Sequence, residues 1–217
     1  MTTLESRPVI QAGDSAPNFT LPAAHGEGVV SLSSYRGRTP VLLTLLRGLY
    51  CPFCRRHVAH LGALAPKLEA EGVELVGVVA TAPERSRLYF RFRPPRFSLA
   101  ADPELSTHRT FGLPNAPLTP EIVSVAQAAA ARDLRAANQP VPPENPLAAL
   151  RGLDGFESTE VDDADLQRHQ AQLCGQFLID RAGIVRWSSV ECARGGPGSF
   201  GELPADEELL AAARAIR

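Results

Sequence analysis

The chain has 217 residues, 44% of them hydrophobic and 21% charged, with a formal net charge of −2 at pH 7. That length supports one well-buried core and no composition break calls for a second, so a single domain over 1–217 is expected. The charge balance excludes a general attraction to nucleic acid or to an anionic membrane, and no apolar run nears the ~20 residues of a membrane helix. Residues 1–7 lack the charged-then-apolar layout of a signal peptide, which predicts a cytoplasmic location. Four cysteines are too few for a disulfide scaffold, and in a reducing compartment a Cys-x-x-Cys is more often catalytic or metal-binding than structural.

In chain order, apolar runs alternate with helical patterns. The run Val41–Leu46 reads as a buried strand, 52–71 as a helix, 73–79 as a second strand and 83–92 as a second helix. This βαβα order predicts an α/β fold with a central sheet. Pro52 suits a first helical position, and Phe53, Val58, Leu61, Leu64 and Leu68 form the apolar stripe behind it. Pro66, inside the same pattern, predicts a kink or a division. Downstream, 97–100 reads as a short strand and 104–111 as a short helix. Arg85, Arg87, Arg91, Arg93 and Arg96 lie among Tyr89, Phe90, Phe92 and Phe97, which reads as an amphipathic helix and turn with a charged outer face. The character changes over 112–172, where Thr119-Pro120-Glu121 caps a helix running to about Ala137 and a proline-rich 139–146 follows. We read 112–172 as a helical insertion. The sheet resumes with a hairpin over 176–189, and a last helix follows Pro204, with Asp206, Glu207 and Glu208 at its start and Arg214 and Arg217 near its end.

Cys51-Pro52-Phe53-Cys54 sits where the Val41–Leu46 strand gives way to helix, which puts Cys51 at the N-cap and Cys54 in the first turn. Free N–H groups and the helix dipole there favour a thiolate, so Cys51 is the candidate nucleophile. Cys54 is the candidate resolving thiol. The spacing Cys51, Cys54, His57, His60 also invites a metal reading. On a helix each step of three turns a side chain by ~300°, which sets Cys51 and His60 on opposite faces and disfavours one tetrahedral site. His57 and His60 are read as solvated or capping residues, with thiolate tuning by His57 as the alternative.

These pieces together resemble a known superfamily. Gly13-Asp14-Ser15-Ala16-Pro17-Asn18-Phe19-Thr20-Leu21, Val30-Ser31-Leu32-Ser33-Ser34-Tyr35-Arg36-Gly37, Ala101-Asp102-Pro103, Phe111-Gly112-Leu113 and Phe177-Leu178-Ile179-Asp180, ordered around Cys51, are similar to peroxiredoxins of the alkyl hydroperoxide reductase and thiol-specific antioxidant type. The resemblance implies a thioredoxin-like fold, a central mixed β-sheet flanked by helices, with the insertion before the last hairpin. It also implies reduction of hydrogen peroxide or organic hydroperoxides at Cys51, an external thiol reductant (a thioredoxin-like protein or a low-molecular-weight thiol) and no bound cofactor. A homodimer is one assembly open to it. Two departures stand out: Gly48 occupies the position of the usual threonine, and Cys174 precedes Gly175-Gln176-Phe177 where an arginine is usual. Arg47, Arg55 or Arg56 are the candidates to supply that charge beside the thiolate or substrate. Cys174 is an alternative resolving thiol, and Cys192, in a glycine-rich stretch, is read as a bystander. Two other functions remain: a dithiol–disulfide oxidoreductase acting on protein or small-molecule disulfides, and a noncatalytic redox-sensing or metal-binding module.

Overall fold

The computed structural model describes residues 8–216; the segment 1–7 and Arg217 lie outside the described residues. A two-stranded hairpin of β1 (Thr20–Pro22) and β2 (Val29–Ser31) precedes the central sheet. That sheet is built from β3 (Val41–Leu46), β4 (Glu74–Val79), β5 (Ser98–Ala101), β8 (Gly175–Ile179) and β9 (Val185–Val190), in the spatial order β5-β4-β3-β8-β9. The pairs β3/β4 and β4/β5 are parallel, whereas β3/β8 and β8/β9 are antiparallel. The architecture is a central mixed sheet flanked by helices, the arrangement that the resemblance implies.

Strand β3 lies at the centre of the sheet and every one of its residues is buried. Its alternate side chains serve opposite faces, as a period of two requires. Leu43 and Leu45 join Val76, Val78, Phe177 and Ile179 on one face, while Leu42 joins Leu75 and Leu178 on the other. Against this second face packs α1 (Pro52–Ala70) through Leu61, Leu64 and Leu68. Pro66 does not divide α1, which runs unbroken for 19 residues. The missing N–H at Pro66 leaves the Gly62 carbonyl without its usual donor four residues on, and packing against the sheet holds the helix together across that gap.

Two parallel crossovers carry α1 and α2 (Pro83–Phe90), and α3 (Ser106–Thr110) follows β5. The 112–172 segment then adds β6 (Asn115–Ala116), α4 (Pro120–Ala136), α5 (Pro146–Gly152), α6 (Glu160–His169) and β7 (Ala171–Gln172). Antiparallel pairing of β6 with β7 closes the segment into a loop. Thr119 caps α4 by accepting the Ile122 N–H at 3.4 Å, and Asn145 caps α5 by accepting the Ala148 N–H at 3.0 Å. The chain ends on α7 (Asp206–Arg214), which packs beside α1. Among the described residues no helix is long and apolar enough to cross a membrane.

Candidate active site

The site begins at the end of β3, where the chain makes a tight turn into α1. The Cys51 N–H donates to the Gly48 carbonyl at 3.1 Å, and the Leu49 N–H donates to Thr81 Oγ1 at 2.9 Å. A Cβ at Gly48 would lie 2.6 Å from Tyr50 Cε1 and 2.9 Å from the Ala80 carbonyl oxygen. The turn therefore has no room for the threonine that the resemblance leads one to expect. Cys51 is the N-cap of α1 and Pro52 opens the helix, and the Cys54 N–H of the first turn acts on the sulfur.

Arg47 is the cation at the sulfur. Its Nη1 donates to Cys51 Sγ at 3.5 Å, its Nε donates to the Gln172 carbonyl at 2.5 Å, and its Nη2 donates to Glu191 Oε2. The guanidinium carbon also stacks 4.2 Å from the centre of the Phe200 ring. Burial works against the Arg47 charge, but the Glu191 carboxylate and the neighbouring cysteines more than offset it and hold its pKa well above the usual arginine value. Glu191 is itself fixed on both oxygens: Oε2 accepts the Cys174 N–H at 3.0 Å and Oε1 the Gly201 N–H at 2.6 Å. Burial raises the Glu191 carboxyl, and the Arg47 charge with these hydrogen bonds overrides it to leave the pKa below its ordinary value. Gly201 sits at φ +78, and a Cβ there would meet Phe53 Cδ1 at 2.7 Å, so this turn is restricted to glycine.

The pair of thiols is split in acidity. Burial, the largest influence on Cys51, pushes it up; the Cys54 thiol, Arg47 and the Cys54 N–H together overcome that and bring its pKa to about 6. Cys54 moves the other way, raised by burial and by hydrogen bonding with Cys174 and Cys51. Cys51 is thus a thiolate and Cys54 a thiol near neutral pH. Cys174 lies on the far side of Cys54, with the two sulfurs 3.8 Å apart. All three cysteines are buried, and Cys192 is half-buried with a positive φ of 65.

The other two candidate cations are held elsewhere. Arg55 donates to Asp154 at 2.8 and 3.0 Å, to the Leu49 carbonyl at 2.7 Å and to the Arg151 carbonyl at 2.7 Å, and stacks 3.9 Å from the centre of Phe156. Arg56 pairs with Asp133 of α4 at 3.4 Å. Their placement corrects the expectation that either supplies charge at Cys51: both face the 112–172 segment and fasten it to α1. His57 is likewise neither solvated nor capping; it is buried and its Nε2 donates to the Gly201 carbonyl at 3.0 Å. Burial lowers its pKa to about 4, so it stays neutral. His60 reaches outward to Asp206 at 2.7 Å.

Over Cys51 the 112–172 segment leaves a narrow apolar cleft of about 70 Å³, lined by Leu118, Ala126, Leu147 and Leu166 from that segment and by Pro52 and Phe200 from the body. Cys51 is only 5% exposed at its floor. Sequence reasoning missed Glu191 and Phe200. Neither carries a motif; the one signal was an acidic residue directly after β9, which reads as an ordinary strand end.

The AhpC/TSA family profile matches residues 12–188. The chain belongs to the AhpC/TSA family. Its relatives in that company divide between two thiol chemistries. Over 78 residues, 36% of this chain and 43% of the relative, it is 36% identical to the thiol-disulfide oxidoreductase ResA of Halalkalibacterium halodurans. Over 100 residues, 46% of this chain and 62% of the relative, it is 30% identical to a Mycobacterium tuberculosis protein whose name places it among the peroxiredoxins. The chain therefore spans about half the length of the curated relatives it matches. The reduced 2-Cys peroxiredoxin of Plasmodium vivax shares the fold, with a TM-score of 0.60 over 95% of this chain and 81% of that one at 16% identity. AhpC/TSA proteins and these neighbours are redox enzymes, with peroxiredoxins and thiol-disulfide oxidoreductases both represented.

Proposed function

We propose that this AhpC/TSA protein is a thiol peroxidase that reduces hydrogen peroxide or small organic hydroperoxides through Cys51, with Cys54 as the resolving thiol. The observation that carries the reading is the Cys51 sulfur, met by Arg47 Nη1 at 3.5 Å, on the floor of an apolar cleft of about 70 Å³. Such a space holds a few water-sized groups, enough for a peroxide. A folded protein disulfide would need the 112–172 segment to move aside.

In the proposed reaction the Cys51 thiolate attacks the distal peroxide oxygen. The O–O bond breaks, Cys51 becomes a sulfenic acid, and the alkoxide or hydroxide leaves and takes up a proton. Arg47 is placed to favour both the thiolate and the negative charge developing on the leaving oxygen. Timing follows from electrostatics. The Cys51 charge is one of the influences holding Cys54 protonated, so oxidation of Cys51 to a neutral sulfenic acid makes Cys54 easier to ionise. The Cys54 thiolate then attacks Cys51 Sγ, an S–S bond forms and water leaves. An external dithiol or low-molecular-weight thiol restores both groups by exchange, and we propose the cytoplasm as the compartment that supplies it.

The second reading, a dithiol–disulfide oxidoreductase, is favoured by the match to ResA and by Gly48, which leaves the usual peroxide-orienting hydroxyl out of the turn. Intact mass separates the two. After one equivalent of tert-butyl hydroperoxide the wild type should lose two hydrogens and Cys54→Ser should gain one oxygen. If both stay at the reduced mass while the wild type still exchanges with a small disulfide, the peroxidase reading is wrong and the reductase stands. Zinc that co-purifies and is lost on removing either thiol would point to the noncatalytic module.

A further inference from the structure

Cys54 faces two sulfurs, and it can bond to only one of them at a time. On one side its thiol and N–H support the Cys51 sulfur; on the other its Sγ stands 3.8 Å from Cys174 Sγ. An S–S bond of ~2.05 Å needs the latter pair to close by under 2 Å. Cys174 directly precedes β8, and its N–H is pinned by Glu191, the same carboxylate that orients Arg47. The Arg47 guanidinium feels all three cysteines. Three thiols and one cation thus form a single buried cluster, and of the three thiols only Cys51 lines the cleft.

We propose that the three cysteines form a relay in which the first disulfide, Cys51–Cys54, is passed inward to become Cys54–Cys174. This rests on Cys51 being the thiol that is oxidised first, as in the function proposed above, whichever oxidant does so. In the exchange the Cys174 thiolate attacks Cys54 Sγ, the Cys54–Cys174 bond forms, the Cys51–Cys54 bond breaks, and Cys51 leaves as thiolate. The proton given up by Cys174 goes to solvent or to the released Cys51. No net oxidation or reduction occurs, so no further reactant is needed.

The direction of exchange follows from the same electrostatics that make Cys51 reactive. A thiolate stabilised by a helix N-terminus and an arginine is the better leaving group and gains most from being free, so exchange runs toward the disulfide that excludes it. The consequence is a site that recovers its nucleophile while the oxidising equivalent is held in a pair shut off from the cleft. That pair links the first turn of α1 to the start of β8. Reduction by an external thiol must then run back through Cys51.

Disulfide mapping tests the relay. Reduced wild type is treated with one equivalent of tert-butyl hydroperoxide, and in parallel with one equivalent of diamide. Samples are quenched in acid over time, blocked with N-ethylmaleimide and digested with trypsin. Residues 48–55 carry both Cys51 and Cys54, and residues 169–181 carry Cys174. The expected end point is 48–55 cross-linked to 169–181 through Cys54, with maleimide on Cys51, preceded by an earlier species in which 48–55 is internally bridged. In Cys174→Ala the early species should persist. The relay is overturned if wild type ends with the internal Cys51–Cys54 bridge and labelled Cys174, or if Cys54→Ser links Cys51 to Cys174 as fast as wild type forms its cross-link. Should peroxide leave every thiol reduced while diamide gives first the internal Cys51–Cys54 bridge and then the Cys54–Cys174 cross-link, the peroxidase reading falls and the relay stands; a diamide cross-link with no earlier internal bridge overturns the relay. Should peroxide yield only the internal bridge, the relay falls and the peroxidase remains.

Discussion

In the body of the protein, β3 and its neighbours are buried on both faces, and α1 meets them through Leu61, Leu64 and Leu68. The 112–172 segment is attached differently. It adds Leu134, Leu150 and Phe156, with small side chains such as Ala126, Ala129 and Ala130, to the apolar cluster around Cys51, and it is further tied to the body by ion pairs: Arg55–Asp154, Arg56–Asp133 and Arg85–Asp162. Broad apolar burial resists local opening, whereas a few charge-assisted hydrogen bonds can be broken with the rest of the fold intact. The nucleophile stands at the end of the central strand, and access to it is set by the segment that these ion pairs fasten.

Arg47 belongs to both regions and its loss should have the largest effect. Arg47→Met leaves Glu191 buried without its cation, which should reduce stability by about 3 kcal/mol or more in urea unfolding. In the folded fraction, the pH midpoint for Cys51 alkylation by iodoacetamide should rise from about 6 by roughly 1–3 units. An unchanged midpoint would show that the helix N-terminus and Cys54 suffice without the arginine.

The pH dependence of stability comes next and concerns the body alone. Burial lowers both His57 and His108 to about 4. As pH falls below the ordinary histidine value the unfolded chain takes up protons that the folded one refuses. Stability is therefore lost between about pH 6.5 and 4, by on the order of 3 kcal/mol for each group at most. Cys51 adds in the same direction at higher pH. Its depressed pKa gives the reduced protein stability that is full above the ordinary thiol value and is lost as pH falls through about 6. Urea midpoints at pH 5 and pH 7 should differ clearly, and His57→Gln should narrow the gap; a gap that His57→Gln leaves untouched would sink the assignment to His57.

The comparison itself is tested most directly at Asp154. It accepts both Arg55 bonds and one from Tyr89 at 3.0 Å. Asp154→Ala should cost about 1–3 kcal/mol, raise hydrogen exchange over α5 and α6 while β3, β4 and β8 stay protected, and speed Cys51 alkylation several-fold at fixed pH. Uniform loss of protection would mean that segment and body open as one unit. The smallest effect is expected from Arg56→Ala. Its partly exposed pair with Asp133 should contribute under about 1 kcal/mol, and thermal unfolding should barely shift.

The legibility of this protein follows the same division. The strands around β3 and the start of α1 could be read because continuous apolar runs and a first-turn proline are local signals, visible without knowing any partner. Helix α4 was equally visible from Thr119-Pro120-Glu121. Helices α5 and α6 were not, since Pro146–Gly152 is short and lies beside a proline-rich stretch, and Glu160–His169 is mostly polar on its own; α5 is held by packing against α4 and α6 by its pair with the distant Arg85. Arg55 and Arg56 illustrate the limit well. Next to Cys54 in sequence, they point to the insertion because the helix turns each successive side chain by ~100°.

By itself the sequence determined the strands and helices of the βαβα run and the placement of Cys51 at a helix start, because each depends on residues near one another in the chain; the mixed sheet and the family were legible only through the resemblance, carried by short motifs in a fixed order. Tertiary structure alone decided which cation meets the sulfur, that Glu191 holds that cation, that the 112–172 segment roofs the site, and that Cys174 comes within 3.8 Å of Cys54. The reason is separation: Arg47 and Glu191 stand 144 positions apart and Cys54 and Cys174 stand 120 apart. Only the closing of β3 against β8 brings such residues together, and no local pattern encodes that meeting.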